Sequence, residues 1–433
     1  MAAFALTRRR QLALALAPAF VAACGAQENL DELPKTGLSE GKVIYSTWGP
    51  TARREIENWT LLAFEKNYSD LRVDVVWSPT VQEHVAKQIS LLSGGTPADV
   101  MRLPAWAAPT FYNEEAARRL DAYFRRDGFK TDNIAQPYDV ATYKRGWYAL
   151  PRGFTGTWAI FYNRQLFAQD GLKPPATGWT WDDFLKTAQA LTRPGAGGAT
   201  VWGTALESVA DFYHPWLWGN GGDDIDPTRG AASIDQPAAV EALTWLLDLR
   251  LKHRVAAPAG ELPDSLAAFS AGRIGMWYGP ADTEIDLNRT RPVDFGLLPQ
   301  PKGKSGQHGG FRPDVMSLLF NAQHPDDGWE LLQFLVDVET QQLELDNALW
   351  LPQAKAITGT EVYYQPAAAP YDRRPGVPNA LFRARSPIIL PRGDEIRAAT
   401  LRELAPMWAG SRSPADATAA AAKAINGVIQ GES

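Results

Sequence analysis

Lys42-Val43-Ile44-Tyr45-Ser46-Thr47-Trp48-Gly49-Pro50 opens the folded body of this chain, and the reading of residues 42–101 decides the fold. The β-branched and aromatic run from Lys42 to Thr47 predicts a strand, broken by Trp48-Gly49-Pro50. A helix is expected from about Ala52 to Asn67, with Ile56, Trp59 and Ala63 on one face. Arg72 to Trp77 then alternates Val73, Val75 and Trp77 with the period of a strand. Val81, Val85, Ile89 and Leu92 mark a second helical stripe, stopped by Gly94-Gly95, and Ala98-Asp99-Val100-Met101 reads as the next strand. Strand, helix, strand, helix, strand is the alternation of a mainly parallel sheet flanked by helices.

The same style recurs further along. Thr180-Trp181-Asp182-Asp183 predicts a helix start in which Thr180 caps and Asp183 answers three residues on, with Phe184, Leu185, Ala188 and Leu191 turned to the core. Asp235 is expected to cap a helix that buries Val240, Leu243, Leu247 and Leu251. Phe269, Ile274 and Met276 lead into Trp277-Tyr278-Gly279. Ser413, with Asp416 in the first turn, starts a last helix burying Ala417, Ala420, Ala424 and Val428. At 433 residues the chain exceeds what one hydrophobic core serves well, so two domains are expected.

Ahead of the body, Arg8-Arg9-Arg10 precedes an apolar run, Leu12 to Ala23, that ends in Val21-Ala22-Ala23-Cys24. That order of charge, apolar run and small residues reads as a secretory signal over residues 1–23, too short for a permanent membrane span. Val-Ala-Ala-Cys resembles the lipobox of bacterial lipoproteins. Cys24 is the only cysteine, so it cannot form an internal disulfide and is expected to serve as an acylated anchor. Residues 24–40 then form a polar tether. Thr7-Arg8-Arg9 with Gln11-Leu12 also resembles a twin-arginine export signal.

Loss of the three leader arginines takes the 43 basic residues to 40 against 49 acids, a mature balance of −9. An acidic body without a Lys/Arg block points away from nucleic acid and anionic membrane surfaces. Five His and one Cys leave little material for a transition-metal site, and no cofactor motif is present. The 16 tryptophans stand out, many of them beside Gly or Pro in expected loops. Indole faces stack on the apolar C–H faces of sugar rings, so loop tryptophans suit a carbohydrate site, while any single one is more ordinarily a core residue.

Several blocks in order resemble the family 1 extracellular solute-binding proteins, relatives of the maltose-binding protein. They include Leu92-Ser93-Gly94-Gly95-Thr96-Pro97-Ala98-Asp99-Val100, Tyr148-Ala149-Leu150-Pro151 and Tyr162-Asn163-Arg164-Gln165-Leu166-Phe167. Thr180-Trp181-Asp182-Asp183-Phe184, Trp218-Gly219-Asn220-Gly221-Gly222, Phe295-Gly296-Leu297-Leu298-Pro299 and Gly309-Gly310-Phe311 follow. The resemblance implies an α/β, two-lobed periplasmic-binding-protein fold, each lobe a mainly parallel sheet flanked by helices, with a ligand cleft at the hinge. It implies crossings at Pro151–Thr157, Phe295–Pro299 and Trp350–Gln353. One lobe would then comprise 41–151 plus 300–350, the other 156–295 plus 353–433. It also implies a monomeric receptor that hands a sugar to the permease subunits of an ABC importer from the outer face of the cytoplasmic membrane.

Ligands of such lobes sit at the C-terminal ends of strands. In the first lobe that selects Trp48, the segment Arg102 to Trp106 and the helix start Glu83-His84. Arg152 stands at the first crossing, where a guanidinium can fork onto vicinal hydroxyls or a carboxylate. In the second lobe it selects the aromatic run with Asp211, Tyr213, Trp216, Trp218 and Asn220, then Trp277, Tyr278 and Asp282. Arg312 follows Gly309-Gly310, and Trp350 and Arg392 are candidates by family position alone. At several ligand positions of the maltose receptor this chain has no close residue match. A secreted glycosidase would need two carboxylates across the scissile bond, which Asp211, Asp282, Glu284 and Asp314 could supply. An importer receptor for a polyamine or a phosphate ester is the other alternative, the latter favouring Arg/Lys at helix N-termini.

Overall fold

The computed structural model describes residues 41–49, 51–94, 98–134, 140–154, 158–176, 178–207, 210–226, 228–280, 283–284, 287, 293–310, 313–347, 352, 354–358, 384–385, 388 and 390–431. The signal segment, Cys24 and the tether lie outside these residues. Two compact units divide the chain, 1–152 with 315–340 and 153–314 with 341–433.

Along the chain, β1 (Lys42–Trp48), α1 (Thr51–Asn67), β2 (Arg72–Ser78), α2 (Val81–Gly94), β3 (Val100–Pro104) and β4 (Leu150–Phe154) come first. Then follow β5 (Trp158–Asn163), α3 (Trp181–Leu191), β6 (Arg193–Pro194), β7 (Thr200–Thr204), α4 (Ala210–Asn220), α5 (Pro237–Leu251), β8 (Ile274–Pro280) and β9 (Phe295–Leu298). The chain continues through β10 (Pro313–Leu318) and α6 (Pro325–Val336), and later through α7 (Gly393–Trp408) and α8 (Pro414–Gln430).

The first unit is built on a five-stranded sheet in the order β2-β1-β3-β10-β4. β1 runs parallel to both β2 and β3, so Trp48, Ser78 and Pro104 finish at one edge. Its core joins Val43 and Tyr45 of β1, Phe64 of α1, Val100 of β3, Met316 of β10, and Trp329 and Leu332 of α6. The stripe that α1 buries differs from the expected one. Ile56, Leu61 and Phe64 are buried with the polar Arg53, Glu57 and Thr60, whereas Trp59 is 48% exposed. Hydrophobicity alone misplaced the stripe because two charged side chains share the buried face.

The second unit has a five-stranded sheet in the order β9-β5-β8-β7-β6. It is mixed, not mainly parallel: β5 is antiparallel to both β8 and β9, and β6 is antiparallel to β7. The last pairing follows from the short link 195–199, which cannot hold the crossover that a parallel pair needs. Residues 300–314 stay with this unit. Trp181 N donates to Lys302 O, and Gly309–Gly310 pair with Ala384–Arg385.

α3 begins as expected: Asp183 N donates to Thr180 Oγ1 at 3.2 Å, and Thr180 N donates to Asp183 Oδ2 at 2.9 Å. Ser413 caps α8 by accepting from Asp416 N. Two other expectations shift. Gln236, not Asp235, holds the N-cap position of α5, and Leu251 at its end is 51% exposed. In α8 the buried positions are Ala417, Thr418, Ala421, Ala422 and Ile425, a stripe rotated from the expected one because most of the helix's apolar residues are equivalent alanines. Among the described residues no helix is long and apolar enough to cross a membrane.

Candidate functional site

At the strand-end edge of the first unit, Trp48 closes β1. Its ring lies 4.8 Å from the His84 ring, and the Arg102 guanidinium carbon lies 3.8 Å from its centroid. Arg102 Nη1 also donates to Trp48 O at 2.9 Å, and His84 Nε2 lies 2.8 Å from Arg102 O. Cation–π contact and these hydrogen bonds weld the ends of β1 and β3 to the first turn of α2. Trp48 is therefore 8% exposed, packed by its own unit. Trp106, in the turn after β3, is half-buried at the same edge.

Arg152 sits deeper. Its Nη1 donates to Glu57 Oε1 at 2.6 Å and to Tyr45 Oη at 2.9 Å, and Tyr45 Oη donates to Glu57 Oε1 at 2.8 Å. Both charged side chains are 1% exposed. Burial, then the Glu57 charge, pushes the Tyr45 phenol well above its ordinary range, so it stays protonated and can donate. The fork that the sequence offered to vicinal hydroxyls is spent on this internal triad.

In the second unit the aromatic run 212–218 is not a loop but α4. Pro215 inside the helix and the Gly residues after it gave the run its loop character, since proline lacks the N–H that a helix interior uses. Burial of Phe212, Tyr213, Trp216 and Leu217 holds the helix together. Gly221, at φ +87°, ends it, with Gly221 N donating to Trp218 O and Gly222 N to Leu217 O.

α4 lays Phe212 and Trp216 on Tyr278 of β8, with ring centroids 5.5 and 6.2 Å away. Trp158, the first residue of β5, joins them at 5.2 Å from Tyr278. Sequence reading passed over Trp158; the available signal was an indole at the start of the strand Trp158-Ala159-Ile160-Phe161-Tyr162. The Nε1 atoms of Trp158 and Trp216 are buried without a hydrogen-bond partner. Such groups are uncommon in folded proteins and each calls for an explanation.

The other candidates are committed within the second unit. Trp218 stacks on His214 with centroids 5.3 Å apart, and the Arg385 guanidinium carbon lies 5.3 Å from the Trp218 centroid. His214 Nε2 is 2.8 Å from Asp224 Oδ2, and Arg385 Nη2 is 3.0 Å from Asp223 Oδ2. Burial, then the neighbouring Asp224 charge, pushes the Asp223 carboxyl up to about 6. Burial opposes ionisation of Asp224 too, but His214 prevails and holds it below the usual range. His214, Asp223 and Asp224 bring ligand atoms within 4.8 Å of one another, a spacing a metal ion could use, and Arg385 already supplies Asp223 with a counter-charge.

Asn220 Nδ2 donates to Ala238 O and Glu241 Oε2, tying the end of α4 to α5. Trp277 points to the opposite face of the sheet from Tyr278, where its Nε1 donates to Ser265 Oγ at 3.0 Å and approaches Glu207 Oε1 at 3.3 Å. Arg392 precedes α7, held by Glu395 at 2.6 Å and by Val428 O at 2.9 Å. The Asp211 side chain, Asp282, Arg312 and Trp350 lie outside the described residues. Glu284 and Asp314 are buried, each in its own partnered setting.

Residues 47–342 match the sequence profile of the bacterial extracellular solute-binding protein family, which is more than half of the chain. The chain is a bacterial extracellular solute-binding protein. A Brucella abortus (strain 2308) protein named as a binding protein is 25% identical to this solute-binding protein over 281 residues. The match covers 63% of this chain and 66% of that one, just under two thirds of the relative's length. Among solved structures, the ABC substrate-binding protein of Listeria monocytogenes in complex with cycloalternan superposes with a TM-score of 0.79 at 20% identity, covering 90% of this chain and 100% of that one. UgpB from Mycobacterium tuberculosis, in complex with glycerophosphocholine, gives 0.77 at 17%, over 89% and 98%. These likenesses establish the fold that this solute-binding protein shares with them.

Proposed function

We propose that this solute-binding protein is the receptor of an ABC importer, that its solute is a sugar, and that it catalyses no reaction on that solute. The observation that carries the sugar reading is the aromatic cluster Trp158, Phe212, Trp216 and Tyr278, with two indole N–H groups in it left unmet by the protein. Ring faces suit the apolar side of a pyranose, and unmet donors suit its oxygens. The Listeria protein's cycloalternan, an all-sugar ligand, supports the same reading. A glycerophosphodiester is the second reading, favoured by the UgpB likeness at nearly the same TM-score.

On this proposal the signal over residues 1–23 directs export, acylated Cys24 holds the protein at the outer face of the cytoplasmic membrane, and residues 24–40 are the tether. The half-buried Trp106, with Asp211, Asp282, Arg312 and Trp350, remains a proposed contact. Thermal-shift measurement over maltose, maltotriose, trehalose, cellobiose, xylose, sn-glycerol 3-phosphate and glycerophosphocholine tests the reading. A sugar present at about 100 times its Kd should add about 2.7 kcal/mol of stability. Stabilisation by a phosphate compound and by none of the sugars would replace sugar with the second reading. New reducing ends on incubation with the oligosaccharides would make the protein an enzyme.

A further inference from the structure

Trp158 stands at a particular place in the second sheet. In the antiparallel register of β5 with β8 it faces Pro280, the last residue of β8. In the register with β9, Leu298 faces Ile160. Gln300 stands two residues beyond the end of β9, where a continued register would bring it opposite Trp158. Trp158, Ile160 and Leu298 share the sheet face that carries Tyr278 and Met276. Continued alternation would put Gln300 on that face as well.

Both side chains are more than nine-tenths buried, Trp158 at 6% exposure and Gln300 at 5%. Yet Trp158 Nε1, Gln300 Nε2 and Gln300 Oε1 all lack a hydrogen-bond partner. The backbone carbonyl of Gln300 is satisfied by Gln307 Nε2, so the unmet groups belong to its side chain alone. Trp181, Trp216 and Trp408 likewise bury an unpaired Nε1, whereas Trp179 spends its N–H on Pro299 O at 2.8 Å, Trp202 on Glu261 at 3.0 Å, and Trp329 on Asp127 at 2.8 Å. A buried amide with neither end paired is costly, and an apolar residue of similar size would remove that cost.

We infer that Trp158 and Gln300 form a ligand subsite that reads hydroxyl groups. This rests on the proposed sugar reading and adds two residues to it. The chemistry discriminates between ligand classes. Trp158 offers a donor, while Gln300 offers donors and an acceptor. A hydroxyl both accepts and donates, so a pair of ring hydroxyls can meet every unmet atom. A fully ionised inorganic phosphate only accepts and would leave Gln300 Oε1 unmet, whereas the glycerol hydroxyls of a glycerophosphodiester could meet it.

The test uses Gln300→Met, which keeps volume and removes the polar groups, and Trp158→Phe, which removes the indole N–H together with part of the ring. Gln300→Met should melt no lower than wild type without ligand, because a buried unmet group has been deleted, while Trp158→Phe should lose some stability to the space the smaller ring leaves. Each should also weaken the stabilising sugar of the panel, with maltotriose as first probe, by roughly three- to tenfold. A gain or no change in melting temperature with affinity within twofold of wild type would overturn the subsite while leaving sugar binding intact. Should glycerophosphocholine bind and the sugars not, the sugar reading falls, and the same variants titrated with glycerophosphocholine test the subsite on its glycerol hydroxyls: affinities within twofold of wild type overturn it. If either variant fails to fold, the indole ¹H–¹⁵N signal of Trp158 and the side-chain amide signals of Gln300 in wild type decide. They should move on saturation with maltotriose or whichever sugar stabilises the protein, and unmoved signals at saturation overturn the proposal.

Discussion

Arg152 and Glu57 form an ion pair of 2.6 Å in the interior of the first unit, with Tyr45 hydrogen-bonded to both. The pair joins α1 to β4 and buries two charges that would be costly alone. Glu57→Gln keeps the shape and removes the counter-charge. It should destabilise the protein by about 3–5 kcal/mol, because the guanidinium loses its carboxylate where water cannot replace it. Denaturant melts read this directly. A loss below about 1 kcal/mol would mean that the triad is solvated or rearranged in solution.

The tryptophans differ in how much of the fold rests on them. Trp216 is 1% exposed and packs on Trp181, Phe184 and Trp245. Trp216→Ala should cost about 3–5 kcal/mol of stability whether or not sugar is present. Trp106→Ala, at a half-buried turn, should spare most of the stability and lower sugar affinity. Melting curves with and without the stabilising sugar distinguish them, and a Trp106→Ala protein that binds as wild type removes Trp106 from the site.

Asp223 predicts a pH dependence. Its folded pKa of about 6 lies above the 3.8 of an ordinary aspartate, so between those values the folded protein holds a proton that the unfolded chain has released. Stability contributed by this group therefore falls as pH rises from about 4 to 6. Asp224 shifts the other way, and its contribution is lost only as pH falls below the usual carboxylate range. Asp223→Asn has no proton to lose, so its stability relative to wild type should rise by roughly 2–3 kcal/mol across that window and then level off. Paired melts from pH 4 to 7.5 check it; a difference independent of pH would place Asp223 among ordinary carboxylates.

Cys24→Ser should release the protein from the membrane fraction into the soluble one and leave sugar-induced stabilisation unchanged. Fractionation of cells making either form reads the outcome. Retention of the variant in the membrane, with its signal otherwise intact, would show an anchor other than a lipid on Cys24.

Local rules carried much of the fold. β1, β2, β3 and the helices between them follow from period and punctuation, and Thr180 with Asp183 makes its reciprocal cap because that pattern needs only four residues. Patterning failed where burial is not apolar. Arg53 and Glu57 occupy the inner face of α1 and displace Trp59 outward, and Pro215 disguised a helix that tertiary packing sustains. Arg152 was legible as a positioned guanidinium, but its partner stands 95 residues away, and no local signal ties the two together.

The sequence by itself determined the α/β alternation and the family, because these rest on residue order over short spans. Only the tertiary structure decided which polar groups are already spent. Arg152, Trp277 and Arg392 have partners from distant or neighbouring elements, while Trp158 Nε1 and the Gln300 side-chain amide are buried with no partner. Hydrogen-bond satisfaction is a property of assembled neighbours: a side chain's chemistry is written in its residue type, but its availability depends on what the fold brings within about 3 Å.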